Sequence, residues 1–137
     1  MEIIFSPSKS QKIEKFNIQG TLPMYLEKTS RIVKLLESYS QTKLKNFFTI
    51  SDTLADRTFH QYQNFNSNTG HALASFTGSS FKALSKNSYS ALEFNFMQKH
   101  LVIFSALYGI LRPLDILSGY RLDMNNSPFS DVILYQY

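Results

Sequence analysis

The chain has 137 residues, of which 43% are hydrophobic and 18% charged, and this is enough apolar material for one domain with a buried core. It contains no cysteine, which excludes disulfides, cysteine-based zinc sites and thiolate-bound iron–sulfur clusters from this sequence. No apolar run reaches the roughly 18 residues of a transmembrane helix, and the first residues lack the features of a signal peptide, so we expect a cytoplasmic protein without membrane contact.

The net charge of +4 is concentrated in the first part of the chain. Residues 1–50 contain eight Lys and Arg against four acidic residues, whereas the remainder contains six of each sign. A basic region of this kind is able to follow a phosphate backbone, because Lys and Arg displace condensed counterions. The alternative is an ordinary solvated surface, and composition alone does not decide between the two.

The first half of the chain predicts one strand and two helices. The apolar run that ends at Phe5 is typical of a short strand. Apolar residues recur at helical spacing over 22–40, which predicts a helix with Thr21 as its N-cap. Ser51 is placed to cap a second amphipathic helix, and Lys43 falls in the polar segment between the two.

The second half is less uniform. Residues 71–76 predict another short strand, and Ser90 with Glu93 has the pattern of a capping box, so a helix is expected to follow. The run 101–105 is either a buried strand or the continuation of that helix, because periodicity does not separate them over so short a stretch. A proline and a later glycine predict a short helix over 114–118.

These elements indicate the mixed α/β class, with a small sheet of short strands surrounded by helices. The segment 92–118 also carries the apolar-Gly-apolar pattern of a helix-hairpin-helix element. The chain stops inside a helix predicted to start after Ser130, so we interpret residues 1–137 as a single incomplete domain. Such a cut domain is expected to expose a contiguous apolar patch.

Three apolar runs each end in Phe followed by a hydroxyl residue. If all three are parallel strands, the loops that follow them meet at the carboxyl edge of one sheet, where open α/β sheets bind ligands. Hydroxyls, glycines and cations in these loops suit an anion, although no loop matches a P-loop, and the alternative is that they are ordinary turn residues. The residues expected at this edge are Ser6, Ser8, Lys9, Gly78, Ser79, Ser80, Tyr108, Gly109 and Arg112.

The turn around Gly109 is the most unusual segment. Its backbone N–H groups, with Arg112 following closely, are suited to hold a phosphate. The alternative is a core turn in which Arg112 pairs with Asp115 or Asp123.

Acidic and histidine side chains offer weaker candidates. Asp52, Asp56 and His60 follow one another at helical spacing and could in principle bind a metal, but such residues usually keep a helix face soluble. We therefore predict no metal and no other cofactor. His71 and His100 are expected to be turn or core residues. No catalytic triad is recognisable, which leaves open whether the protein is an enzyme.

Several blocks of the sequence resemble the YaaA family of peroxide-stress proteins, in the family's order. Residues 5–10 are similar to the family's ISPAKT start, and residues 50–55 to its ISDKLA. Residues 105–115 resemble SGLYGVLRPLDL, and 120–124 resemble the start of YRLEMG. Residues 134–136 are similar to the LYQFW segment, which lies near the middle of a typical member.

The resemblance implies a stress protein that limits oxidative damage by keeping free intracellular iron low. It also implies DNA binding, through a helix-hairpin-helix-like element and a basic cleft. Because phosphate contacts do not specify sequence, we expect this binding to be without sequence specificity. The binding residues carried over by position are Ser6, Lys9, Tyr108, Gly109, Arg112, Tyr120 and Arg121.

The chain departs from the family pattern at several positions. Ser79 and Phe81 stand where the family usually has Asp and Tyr, and Ala106 and Asn125 stand where it has glycine. Two alternatives stay open beside DNA binding, the first from the strand-end loops with Lys9 and Arg112 and the second from these departures. One is an enzyme or binder for a small phosphorylated ligand, and the other is an inactive truncated product.

Overall fold

The computed structural model of the chain describes residues 2–5, 11–85 and 88–122. This part of the chain has the predicted mixed α/β architecture, and none of its helices is long and apolar enough to cross a membrane. The helix predicted after Ser130 lies outside the described residues. The helices are α1 (Leu26–Glu37), α2 (Gln41–Phe48), α3 (Asp52–Gln63), α4 (Ala72–Ser75), α5 (Ser79–Ser85) and α6 (Ala91–His100), and the strands are β1 (Ile3–Phe5), β2 (Thr69–His71), β3 (Leu101–Ser105), β4 (Gly109–Leu111) and β5 (Ile116–Ser118).

The strands form two small sheets. The first has the order β1-β3-β4, with β1 parallel to β3 and β4 antiparallel to it. The second pairs β2 with β5 in antiparallel fashion, so that Gly70 lies opposite Leu117. Alternate residues of β3 face the core: Leu101 and Ile103 join a buried cluster that also contains Ile32 and Leu36 of α1.

The predicted helix-hairpin-helix element is wrong. Residues 101–105 form a strand, and with β4 they make a β-hairpin in which Gly109 has a φ of 78°. The run Leu-Val-Ile-Phe favours a strand because β-branched and aromatic side chains pack well on a pleated surface, and β1 supplies a pairing partner. The predicted helix over 114–118 is also wrong, since residues 116–118 pair with β2.

Two helix starts agree with the sequence. The Ser51 hydroxyl accepts a hydrogen bond from the Leu54 N–H at 3.2 Å, and Ser90 with Glu93 forms a complete capping box at the start of α6. A third helix was not predicted: the Ser40 hydroxyl caps α2 by accepting from the N–H of Lys43 at 3.1 Å. Lys43 therefore lies in the first turn of a helix rather than in a linker.

Two other boundaries differ because of distant contacts. The first helix begins at Leu26, since the Thr21 N–H donates to the Leu114 carbonyl at 2.9 Å and the Thr21 hydroxyl to Asp115 at 2.6 Å. The second predicted strand stops at His71, and the following four residues form α4. The N–H groups of Ala72 and Leu73 pair with the carbonyls of residues 115 and 113 instead of with a strand.

Candidate functional site

A cleft of about 430 Å³ opens between two segments that lie far apart in the sequence. Its volume is within the range of small-ligand sites, roughly 300–1,000 Å³. We call it the lysine cleft, and it is lined by Lys12, Glu14, Lys15, Phe16, Ala74, Phe76, Thr77 and Lys82.

Backbone contacts fix one wall of the lysine cleft. Gln11 forms an antiparallel bridge with Phe76, and the Lys12 N–H donates to the Ser75 carbonyl at 2.8 Å. The Ser75 hydroxyl accepts from the Glu14 N–H at 3.1 Å and lies 3.2 Å from the Glu14 carbonyl. Segment 11–16 is therefore held against α4 by hydrogen bonds at several points.

The charge of the lysine cleft is predominantly positive. Of the described residues that line it, three are lysines and one is acidic, Glu14, whose Oε1 lies 3.8 Å from the Lys12 Nζ. That ion pair is weak, because the Lys12 side chain is 81% exposed and the Glu14 side chain 54%. Phe16, which is half-buried, adds apolar surface beside the ammonium groups, whereas Phe76 is buried beneath the cleft wall. The combination suits an anion attached to a flat or apolar group.

Two of the three runs predicted as parallel strands, β1 and β3, end at the same edge of one sheet. β1 and β3 are parallel, so their carboxyl ends point the same way. The run ending at Phe76 is not a strand, although Thr77 lines the lysine cleft. The ring of Phe5 lies 5.2 Å from the ring of Phe81, which places α5 beside the end of β1. Ser6, Ser8 and Lys9 lie outside the described residues.

Tyr108, Gly109 and Tyr120 lie within the core around the β-hairpin. The side chain of Tyr108 is buried, its hydroxyl accepts from the Ser118 N–H at 2.9 Å, and burial raises the pKa of this phenol to about 12. The Tyr120 hydroxyl is 2.7 Å from the Ser105 hydroxyl. These contacts give the three residues a role in shaping the hairpin, and their role in binding stays a prediction.

The two predicted arginines are held by the fold in different ways. The guanidinium of Arg112 donates to the Asp115 carboxylate at 2.9 Å and to the Leu22 carbonyl at 2.8 Å, which confirms the pairing with Asp115. The Arg112 side chain is nevertheless 33% exposed. The backbone of Arg121 is fixed by Tyr62, whose hydroxyl donates to the Arg121 carbonyl at 2.6 Å, and burial raises the pKa of Tyr62.

The possible metal ligands on α3 form pairs, one of them with a lysine and the other two with each other. Asp52 pairs with Lys45 at 2.8 Å, and Asp56 with His60 at 3.3 Å. Within residues 2–5, 11–85 and 88–122, no three His, Asp or Glu side chains come together as a metal site.

Sequence reasoning did not find the lysine cleft. Lys12 and Lys15 belong to the basic first part of the chain, and that excess of charge was the available signal. Lys82 comes from α5 in the neutral part, and only the fold brings it to the other two.

His71 holds a residue that lines the lysine cleft, Phe16, in place. Its Nδ1 accepts a hydrogen bond from the Phe16 N–H at 2.9 Å, so the ring must be unprotonated at this nitrogen. Burial lowers the pKa of His71, and the charge of Lys15 lowers it further. Protonation of His71 would therefore break the contact that positions Phe16.

The stability of the protein is expected to fall as the pH is lowered from about 7.5 to about 5.5. Because the folded-state pKa of His71 lies below the unfolded value of about 6.5, the unfolded state binds more protons in this window. Urea unfolding of wild type and His71→Gln at both pH values tests this, and the variant is expected to lose part of the pH dependence. His60→Gln, at a side chain 62% exposed, is the control and should keep it. An unchanged pH dependence in His71→Gln would contradict the assignment.

Comparison with known proteins places the chain in a family. The family model described as peroxide stress protein YaaA matches residues 1–137. A UPF0246 protein of Acaryochloris marina is 36% identical, with 96% of this chain and 54% of the relative covered. A UPF0246 protein of Francisella tularensis subsp. novicida is 32% identical, with 100% of this chain and 58% of the relative covered. The chain thus spans somewhat more than half the length of these relatives, and it belongs to the YaaA peroxide stress protein family.

Proposed function

We propose that this chain acts in the response to peroxide by binding nucleic acid without sequence specificity, and that the lysine cleft contacts the phosphate backbone. The observation that carries the proposal is the convergence of Lys12, Lys15 and Lys82 from two distant segments on one cleft. Lysines placed along a backbone release condensed counterions, which provides affinity that does not depend on base sequence.

The residues taken from the family resemblance have different parts in this proposal. Arg112 and Arg121 contribute positive charge. The β-hairpin that ends directly before Arg112 is shaped by Tyr108, Gly109 and Tyr120. Ser6 and Lys9 precede Lys12 closely in the sequence and are proposed as further contacts. The control of free iron, which the resemblance implies, and the cytoplasmic location, which the sequence predicts, belong to the same proposal.

A second candidate function is binding of a small phosphorylated molecule. The concave shape of the lysine cleft, with about 430 Å³ of space, favours it over a flat backbone-binding surface. In this alternative the lysines hold one phosphate, and the half-buried Phe16 packs against the organic part of the ligand.

Simultaneous replacement of Lys12, Lys15 and Lys82 by alanine tests the first proposal. If each lysine contacts one phosphate, the slope of log affinity against log salt is expected to become shallower by roughly 2.7, at 0.9 per contact. The measurement is fluorescence anisotropy with duplex DNA of random sequence, between about 50 and 200 mM salt. We expect at least a tenfold weaker binding at the lower concentration.

The matched control is Lys34→Ala, Lys43→Ala and Lys99→Ala, which removes the same charge from exposed helix positions outside the lysine cleft. Equal losses in both triple variants would show that binding is only diffuse attraction. Displacement of the DNA by a mononucleotide, with a weak salt dependence, would favour the second candidate instead.

A further inference from the structure

One face of the three-stranded sheet consists of apolar side chains that the described residues leave partly exposed. Leu101, Ile103 and Ser105 of β3 are buried, so Val102 and Phe104, which alternate with them, face the other way. The strand register places Ile4 beside Val102, and Ile110 beside Phe104. We call Ile4, Val102, Phe104 and Ile110 the outer sheet face.

The exposure of the outer sheet face is unusual for its composition. Ile4 is 58% exposed and Phe104 37%, and Val102 and Ile110 are half-buried. A sheet with one face in water normally alternates apolar with polar residues, whereas β3 is apolar on both faces. Parallel pairs such as β1 with β3 occur mostly in sheets that are covered on both sides. The pattern is therefore that of a face with a covering layer.

The size of the outer sheet face decides what kind of layer fits. Three strands about 4.8 Å apart and at most five residues long span roughly 14 by 17 Å, or about 240 Å². A stable dimer needs about 800 Å² on each partner. Two copies stacked through this face alone would fall well short, whereas one helix, roughly 10 Å in diameter, is wide enough to cover most of the strands.

We propose that the outer sheet face is the docking surface for an amphipathic helix from the portion of the family polypeptide that lies outside the matched stretch. The relatives from Acaryochloris marina and Francisella tularensis are covered over only 54% and 58% of their lengths. More than two fifths of each relative is therefore available to supply such a layer. The docking helix presents its apolar side to Ile4 and Phe104.

Cysteine labelling tests the proposal, because the chain has no cysteine of its own. Phe104→Cys places a single thiol on the outer sheet face, and Leu92→Cys, at an 81% exposed position of α6, is the control. The same two positions are changed in the full-length Acaryochloris marina relative, in a background from which any native cysteine has been replaced by serine. The rate of reaction with a maleimide reagent is then measured for all four proteins.

In this chain of 137 residues, both thiols are expected to react with the maleimide at similar rates. In the full-length relative, the thiol at the position of Phe104 is expected to react at least tenfold more slowly than the thiol at the position of Leu92. Similar rates at both positions of the relative would overturn the proposal. Protection of Phe104→Cys in this chain at every concentration would also overturn it, because this chain would then cover the face itself. Protection that grows with protein concentration would assign the face to a second copy instead.

Discussion

Replacing Asp115 with alanine is expected to lower the free energy of unfolding by about 2 to 3 kcal/mol, because it removes a fully buried carboxylate that accepts several hydrogen bonds. The Asp115 side chain is fully buried. Its carboxylate accepts from the Thr21 hydroxyl at 2.6 Å, from the Arg112 N–H at 2.7 Å and from the Arg112 guanidinium at 2.9 Å. Removal leaves these donors without their acceptor, and it loosens the contact between the start of the chain and the second sheet.

Urea unfolding followed by circular dichroism measures the effect. Glu27→Ala is the control, since Glu27 pairs with Arg31 on the exposed face of α1 at 3.1 Å, and loss of such a pair costs about 0.5 kcal/mol or less. Asp115→Asn keeps the shape and one acceptor and should fall between the two. A loss below about 1 kcal/mol for Asp115→Ala would mean that the buried carboxylate does not organise this region.

The same network affects how arginine variants are interpreted. Arg112 is both a predicted nucleic-acid contact and the partner of Asp115. DNA binding by an Arg112→Ala variant has to be compared with that of the wild type at an equal fraction of folded protein. Partial unfolding of the variant would lower the measured binding in the same way as the loss of a contact. The lysines of the cleft avoid this difficulty, since the Lys12 side chain is 81% exposed and its ion pair is weak.

Local hydrogen bonds made several elements predictable from the sequence. The caps at Ser51 and Ser90 depend only on the next three residues, and both helices start where the pattern placed them. The mixed α/β class followed from the alternation of short apolar runs with amphipathic stretches.

Contacts between distant residues decided the elements that were predicted wrongly. Thr21 pairs with Asp115, 94 positions away, and is therefore drawn out of the first helix. The run after His71 becomes α4 because its N–H groups meet the carbonyls of residues 113 and 115. The candidate site was equally hidden, because the cleft depends on Lys82 of α5 lying near Lys12 and Lys15.

The backbone at Gly70 lies so close to the backbone at Glu14 that a side chain at position 70 is expected to destabilise the fold strongly. A Cβ at Gly70 would overlap the Glu14 carbonyl oxygen and would lie 3.0 Å from the Glu14 nitrogen and 2.8 Å from the Ser75 hydroxyl. Backbone atoms cannot rotate away as a flexible side chain does, so segment 11–16 would have to shift. Gly70→Ala is therefore expected to lower the free energy of unfolding by about 3 kcal/mol.

Gly119→Ala is the matched control for this substitution. Its Cβ would lie 3.0 Å from the Gln61 amide nitrogen, the movable end of a side chain, and 3.8 Å from Ile13. The added methyl group also restricts the unfolded chain, so we expect a change of less than about 1 kcal/mol. Thermal unfolding of both variants compares the two sites.

Because the shifted segment carries Lys12 and Lys15, Gly70→Ala is further expected to weaken DNA binding under conditions where the variant remains folded, and Gly119→Ala is not. Equal stability of the two variants would contradict the close approach at Gly70.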